Sequence, residues 1–131
     1  MNRRTSILLA LFIVAVVGAA LGVGLRGGRA TGENCQTSRK VTAYKVTIVG
    51  SKVSDDHIQG RLCDTLTFTN EDVVIREVAF GPHEHHVPYD GVADRVLGKG
   101  QSLTITLNQA GSFHWHDHLH DEVEGYFTVK K

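Results

Sequence analysis

The sequence predicts an all-β domain, and three observations support this fold class. Beyond residue 31 the chain shows no helical periodicity of useful length. Short runs rich in β-branched and aromatic residues recur instead, and turn-forming residues separate them. The 131 residues are enough for one domain. Six or so short strands in about 95 residues indicate a small β-sandwich.

The predicted strands show which side chains should face the core. Leu66 and Phe68 alternate with threonines, so these two apolar side chains should share the buried face of their strand. The strand-forming segments are residues 41–49, 64–70, 73–80, 102–107, 112–117 and 125–130. A long segment between Pro82 and Gly100 separates the third and fourth strands. Loops of that length in compact domains are usually functional.

The first 30 residues differ in character from the rest of the chain. Residues 7–25 carry no charge, and Arg3 and Arg4 precede them. About 20 apolar residues can span a bilayer as a helix, and the same pattern fits a long signal peptide. A buried core helix is a third alternative, but helices that are apolar on all sides are rare in small domains. We therefore expect a hydrophobic N-terminal helix in residues 1–30, as signal or membrane anchor, and a folded domain in residues 31–131.

This organisation predicts a location outside the cytoplasm, in the periplasm or cell envelope, with the domain either membrane-anchored or secreted. The chain has 14 basic and 14 acidic residues, but four arginines flank the apolar run. The remainder is mildly acidic, whereas nucleic-acid-binding domains present a basic face. We therefore expect no nucleic-acid partner, and the sequence identifies no protein partner.

Both cysteines, Cys35 and Cys63, follow the apolar run. In an oxidising compartment a pair of cysteines predicts a disulfide, which would tie the start of the domain to a later strand. The alternative is that two free thiols serve as metal ligands.

The histidines are concentrated in one part of the sequence. Seven of the eight lie between residues 83 and 120. In the segment 112–117, strand alternation predicts that Phe113 and Trp115 face the core. His114 and His116 should then face outward, and Asp117 should point inward at the end of the strand.

The spacing of residues 111–125 follows a known motif, G-x-Y-x-F-x-C-x-x-H-x-x-M-x-G. The matching positions are Gly111, Phe113, Trp115, Asp117, His120, Val123 and Gly125. Upstream, "DTLTFTNEDVVIREV" is similar to the stretch G-D-x-V-x-F-x-N of the same family. In both segments the chain resembles the cupredoxins. The resemblance implies a cupredoxin-like Greek-key β-sandwich over roughly residues 41–130.

The same resemblance implies that the blue-copper site of that family is lost. Arg76 stands where the first copper histidine is expected, Asp117 replaces the cysteine, and Val123 replaces the methionine. Only His120 remains of these ligands. A blue-copper centre needs a thiolate and two imidazoles, so we expect neither that centre nor its electron-transfer role.

A second set of residues resembles a cupredoxin-like group with the motifs P-H-P-x-H-x-x-Y and Y-H-D-H-L. The matching positions are Pro82, His83, His86 and Tyr89 for the first motif, and His116, Asp117, His118 and Leu119 for the second. Glu84 departs from the second proline of the first motif. The resemblance implies a shared histidine cluster on this fold.

These histidines allow two ligand arrangements. Neutral imidazole suits copper and zinc, and four imidazoles from His83, His86, His116 and His118 fit tetragonal copper(II) or tetrahedral zinc. The acids Asp117, Glu84 or Asp121 would then fix the ring tautomers from outside. The other arrangement keeps the family's position and combines Asp117 and His120 with one loop histidine.

The sequence thus predicts a metal-binding protein, with copper preferred over zinc, that handles or delivers copper. We assign no catalytic residue. A copper-dependent redox enzyme and a metal-free interaction module on the same fold are the alternatives. The histidines alone would also fit a pH-sensing or simple surface role.

Overall fold

The computed structural model describes Cys35 and residues 37–131, which contain nine β-strands. The strands are β1 (Ala43–Val49), β2 (Lys52–Val53), β3 (His57–Arg61), β4 (Thr65–Asn70), β5 (Arg76–Phe80), β6 (Arg95–Leu97), β7 (Ser102–Thr106), β8 (Gly111–Asp117) and β9 (Glu124–Lys130). The predicted N-terminal helix and the boundary at residue 30 lie outside the described residues. In the described part of the chain, no helix is long and apolar enough to cross a membrane.

The strands form two sheets, as the sequence predicts for a β-sandwich. One sheet has the order β2-β1-β4-β7, and the other has the order β3-β9-β8-β5-β6. Two pairs are parallel, β1 with β4 and β3 with β9, and the other pairs are antiparallel. Since each parallel pair joins strands that are distant in sequence, chain connections must cross between the sheets.

Side chains from both sheets meet in one hydrophobic core. Leu66 and Phe68 of β4 are fully buried, as their alternation with threonines predicts. From the second sheet, Trp115 packs on Phe68 with the ring centroids 4.9 Å apart. The other buried apolar residues are Val46, Ile48, Ile58, Val78, Phe80, Tyr89, Leu97, Leu103, Ile105, Leu107, Val123, Phe127 and Val129. The core residues that lie in strands follow the strand period of two, and Tyr89, Leu107 and Val123 join them from the connecting segments.

Three features of the fold depart from the sequence-based prediction. Strand β3 was not predicted, because HIQGR has one large apolar residue and a glycine. A Cβ at Gly60 would lie 2.5 Å from a methyl group of Leu107, so a larger residue at this point of β3 would force that buried side chain to shift. Strand β6 interrupts the predicted long loop, and β5 begins at Arg76 instead of residue 73 because residues 73–75 are exposed before the strand.

The cysteines also differ from the prediction. Both are free thiols, so the predicted disulfide between Cys35 and Cys63 is wrong for this structure. The Cys35 thiol donates a hydrogen bond to Asn108 Oδ1 at 3.0 Å. Burial, together with the adjacent Cys63 thiol, raises the pKa of Cys35 to about 11. Cys35 is therefore a protonated thiol at neutral pH, while thiol–disulfide chemistry proceeds through the thiolate.

Candidate metal centre

A loop and a strand end bring the histidines together. His116 lies near the end of β8 and His118 directly follows this strand, whereas His83 and His86 lie in the loop between β5 and β6. Gly81 begins this loop with a φ of +85°, and a Cβ there would meet the backbone nitrogen of Val87 at 2.9 Å. The Val87 N–H donates to the Phe80 carbonyl, which closes the loop back toward the sheet. Glycine at residue 81 therefore permits the fold-back that carries the loop histidines to the strand histidines.

The four rings of the first predicted arrangement form one cluster. The ring centroid of His118 lies 4.6 Å from that of His83 and 4.6 Å from that of His86. The His116 centroid lies 5.2 Å from that of His83 and 5.0 Å from that of His86. One ligand nitrogen from each of His83, His116 and His118 lies within 4.8 Å of the others. These three residues could hold a metal ion, with His86 beside them.

Several nitrogens of the cluster are buried without a hydrogen-bond partner. They are Nε2 of His86, Nε2 of His116 and Nδ1 of His118. Buried polar atoms are normally hydrogen-bonded, so three orphaned ring nitrogens in one cluster require an explanation. A metal ion satisfies imidazole lone pairs in the way that a hydrogen-bond donor does. The donor set therefore fits a metal with a preference for nitrogen ligands, such as copper or zinc.

The electrostatics of the cluster favour a neutral ring at His116. Burial lowers the pKa of His116, and the neighbouring rings of His86, His114 and His83 lower it further. Neutral imidazole is the form that binds a metal. His116 is thus held in a ligand-competent state without any change in the protein.

Acids and a backbone carbonyl fix three of these rings from outside. His116 Nδ1 lies 3.0 Å from the Gly81 carbonyl oxygen, which accepts a hydrogen bond from the protonated Nδ1. His83 Nδ1 lies 3.3 Å from Asp121 Oδ1, one of the acids predicted for this role. His86 Nδ1 contacts Asp94 Oδ2 at 2.5 Å. Asp94 was not predicted, because it lies outside both histidine motifs. Glu84, another of the predicted acids, is exposed in the loop.

The second predicted arrangement depends on Asp117, whose carboxylate is occupied by protein groups. Oδ2 accepts from Arg76 Nη1 at 3.0 Å and contacts His120 Nδ1 at 3.0 Å. Oδ1 accepts from the backbone N–H of Glu77 at 2.9 Å and of Leu119 at 3.1 Å. An arginine–aspartate–histidine group therefore lies at the position that the cupredoxin resemblance assigns to copper.

Arg76 is part of a buried ion-pair network. Its Nη2 lies 2.6 Å from Asp72 Oδ2, and its side chain is almost completely buried. Its Nη1 donates to Asp117, and Glu77 donates to that carboxylate through its backbone N–H. Val123, at the methionine position, is buried in the core.

The register of β8 agrees with the prediction, but the exposure of one residue does not. Trp115 is buried and Phe113 packs on the same core, while His114 and His116 stack on each other on the opposite side. His116 is nevertheless 2% exposed. The outward face of β8 was expected to be open, but the loop that carries His83 and His86 covers it.

The solved structures that resemble this chain share one fold. A purple cupredoxin from Nitrosopumilus maritimus matches with a TM-score of 0.58 and 15% identity, over 66% of this chain and 99% of that one. A proline-to-phenylalanine variant of amicyanin in the reduced state matches with a TM-score of 0.56 and 24% identity, over 67% and 82%. The described residues form a cupredoxin-like domain. A tryptophan-to-tyrosine variant of reduced amicyanin also has this fold, with a TM-score of 0.57 and 23% identity, over 71% and 87%.

No protein-family model matches this cupredoxin-like sequence, and no curated protein matches it. The sequence identities to the solved structures establish the fold only. The metal ligands follow from the histidine cluster of this chain.

Proposed function

We propose that this domain binds copper through the imidazoles of His83, His86, His116 and His118, and that it handles or delivers copper in the cell envelope. One observation carries the proposal: three of these histidines each keep a buried ring nitrogen that has no hydrogen-bond partner. The cupredoxin-like fold and the clustered ligand nitrogens support copper as the metal, with zinc as the alternative.

The Asp117 and His120 arrangement is the weaker of the two. Asp117 already accepts four hydrogen bonds, and a metal ion there would have to displace the guanidinium of Arg76. Displacement would break the fully buried half of the Arg76 network and leave the guanidinium with Asp72 as its remaining acid, which is costly. We therefore assign Asp117 and His120 to the ion-pair network and not to the metal.

The N-terminal segment supplies the location in this proposal. Residues 7–25 would act as a signal or membrane anchor, and the domain would lie on the outer side of that membrane. A location outside the cytoplasm suits a protein that receives or passes on copper at the envelope.

The test is copper and zinc binding by the full-length chain, purified in mild detergent without a histidine tag. The double variant His83→Ala/His118→Ala should lose tight binding, measured by competition with a copper chelator. These two rings are more exposed than that of His116, so the variant should keep its fold. His85→Ala is the matched loop control, and His120→Ala tests the other arrangement. Both should bind as the wild type does.

Two results would count against the proposal. A wild type that retains neither metal at micromolar concentration would remove the metal site altogether. Loss of binding in His120→Ala, with retention in the double variant, would move the metal to the Asp117 position.

A copper-dependent redox enzyme would need an open coordination position on the metal in addition to the four imidazoles. An interaction module without metal would leave the three orphaned ring nitrogens without a physical reason.

A further inference from the structure

Asp94 is the acid that contacts the cluster most closely. It lies immediately before β6, and its Oδ2 is 2.5 Å from Nδ1 of His86. Both side chains are mostly buried, with 30% of Asp94 and 23% of His86 exposed. By contrast, Asp121 is 71% exposed and contacts His83 at 3.3 Å. Of these two acids, Asp94 therefore lies closer to its histidine and is less exposed to solvent.

The contact with Asp94 determines the proton position on His86. An ionised carboxylate has no proton to donate, so the hydrogen bond requires a proton on Nδ1 of His86. In a neutral ring the lone pair then lies on Nε2. This is the nitrogen that is buried and has no partner. The acid thus leaves the orphaned nitrogen as a free ligand atom.

We propose that Asp94 is a positioning residue, which holds His86 in the tautomer with Nδ1 protonated and directs Nε2 toward the bound metal. The part of this inference that concerns the metal rests on the proposed function. Carboxylates that orient metal-binding histidines in this way typically change metal affinity 10- to 100-fold when they are removed.

A purely structural role would also explain a contact between Asp94 and His86. The two residues are eight positions apart, so their hydrogen bond closes most of the loop that carries the cluster. Both roles need the proton on Nδ1, because the same hydrogen bond serves each of them. Bound copper separates the roles: a metal-directing contact changes the copper affinity and the coupling of the remote ring nitrogen, whereas a contact that only closes the loop leaves both unchanged.

The first measurement uses the metal-free, full-length protein. Long-range proton–nitrogen correlation spectra of the imidazoles report which ring nitrogen of His86 is protonated. We expect protonated Nδ1 in the wild type and a shift toward protonated Nε2 in Asp94→Ala. Asp94→Asn should retain the wild-type tautomer in part, since its amide oxygen can still accept from Nδ1. Glu84→Gln removes a negative charge from the same loop and should change nothing.

The second measurement adds copper(II). Asp94→Ala should bind it 10- to 100-fold more weakly than the wild type, with Asp94→Asn between them and Glu84→Gln unchanged. Pulsed electron paramagnetic resonance should show a changed quadrupole coupling for one remote ring nitrogen in Asp94→Ala, because that coupling senses the hydrogen bond at this nitrogen.

The outcomes are distinguishable from those of the copper proposal. Protonated Nε2 on His86 of the wild type, or an unchanged tautomer in Asp94→Ala, would overturn the role of Asp94. So would an equal loss of copper affinity in Asp94→Ala and Glu84→Gln, since that would reflect charge alone. If the wild type binds no copper but the tautomer responds to Asp94, the metal proposal fails and the control of the ring by Asp94 stands.

Discussion

Replacing Arg76 by methionine tests whether the ion pair at the former copper position stabilises the fold. The guanidinium and the Asp117 carboxylate are both almost fully buried, and they are 3.0 Å apart. Removal of one partner from a buried pair typically costs about 3–5 kcal/mol, because the other charge stays buried without compensation. Methionine keeps most of the side-chain volume, so the loss should come from the charge and not from a cavity.

The contacts of the pair place the expected loss at the lower end of that range. Without Arg76, Asp117 still accepts from the backbone N–H groups of Glu77 and Leu119 and still contacts His120. In addition, Nε of Arg76 has no hydrogen-bond partner, and the substitution removes this unsatisfied group. We expect a loss of about 3 kcal/mol in the free energy of unfolding. For a domain of this size this corresponds to a fall in melting temperature of roughly 12–24 °C.

Urea unfolding followed by the fluorescence of Trp115 measures this loss, because Trp115 is the only tryptophan and it is buried. The double variant Arg76→Met/Asp117→Asn should be more stable than Arg76→Met alone. It removes the uncompensated charge and keeps an oxygen for the two backbone donors. A loss below about 1 kcal/mol in Arg76→Met, as for an exposed ion pair, would refute the reasoning. A double variant less stable than the single one would do the same.

Three further predictions concern the metal, acid stability and packing. Copper(II) bound to the protein should absorb weakly in the visible range, because Cys35 and Cys63 lie outside the histidine cluster. Its electron paramagnetic resonance spectrum should be ordinary and tetragonal, with nitrogen couplings. An intense sulfur-to-copper absorption band would contradict the ligand set. The hydrogen bond from the Arg76 guanidinium lowers the pKa of Asp72 from 3.8 to about 2, so its contribution to stability should be complete above pH 4 and lost between pH 4 and pH 2. Urea titrations should therefore show a weaker acid dependence over this interval in Asp72→Asn, and an unchanged dependence would contradict the assignment. Gly125→Ala should destabilise the domain by about 1–3 kcal/mol, because a Cβ there would lie 2.8 Å from the indole nitrogen of Trp115. Thermal unfolding measures this loss of stability. A variant as stable as the wild type would show that β9 can shift to make room.

The fold was predictable where side-chain alternation is strong. Leu66 and Phe68 in β4 and Trp115 in β8 follow a clear period of two, and this period also assigned the faces of β8. Strand β3 escaped prediction because its pairing with β9 depends on residues distant in the sequence. Local pattern cannot supply such a long-range constraint.

Only part of the candidate site was predictable, because contacts between residues distant in the sequence determine the rest. Residue type and spacing selected the four histidines that the structure brings together. The burial of His116 and the contact with Asp94 depend on how the loop folds over β8, which sequence spacing does not determine. The hydrogen bond from the Cys35 thiol to the amide oxygen of Asn108 likewise joins residues that are distant in the sequence.

The position of β9 has a consequence for how the chain reaches its folded state. This strand lies between β3 and β8, so residues 57–61 find their partner only when residues 124–130 are available. During synthesis, the second sheet stays split into two parts with unpaired edges until that late segment emerges. Sheets dominated by such distant pairings fold slowly, and their open edges attract other chains. The nascent protein should therefore complete its second sheet only after residues 124–130 emerge, and it should need protection from aggregation until then.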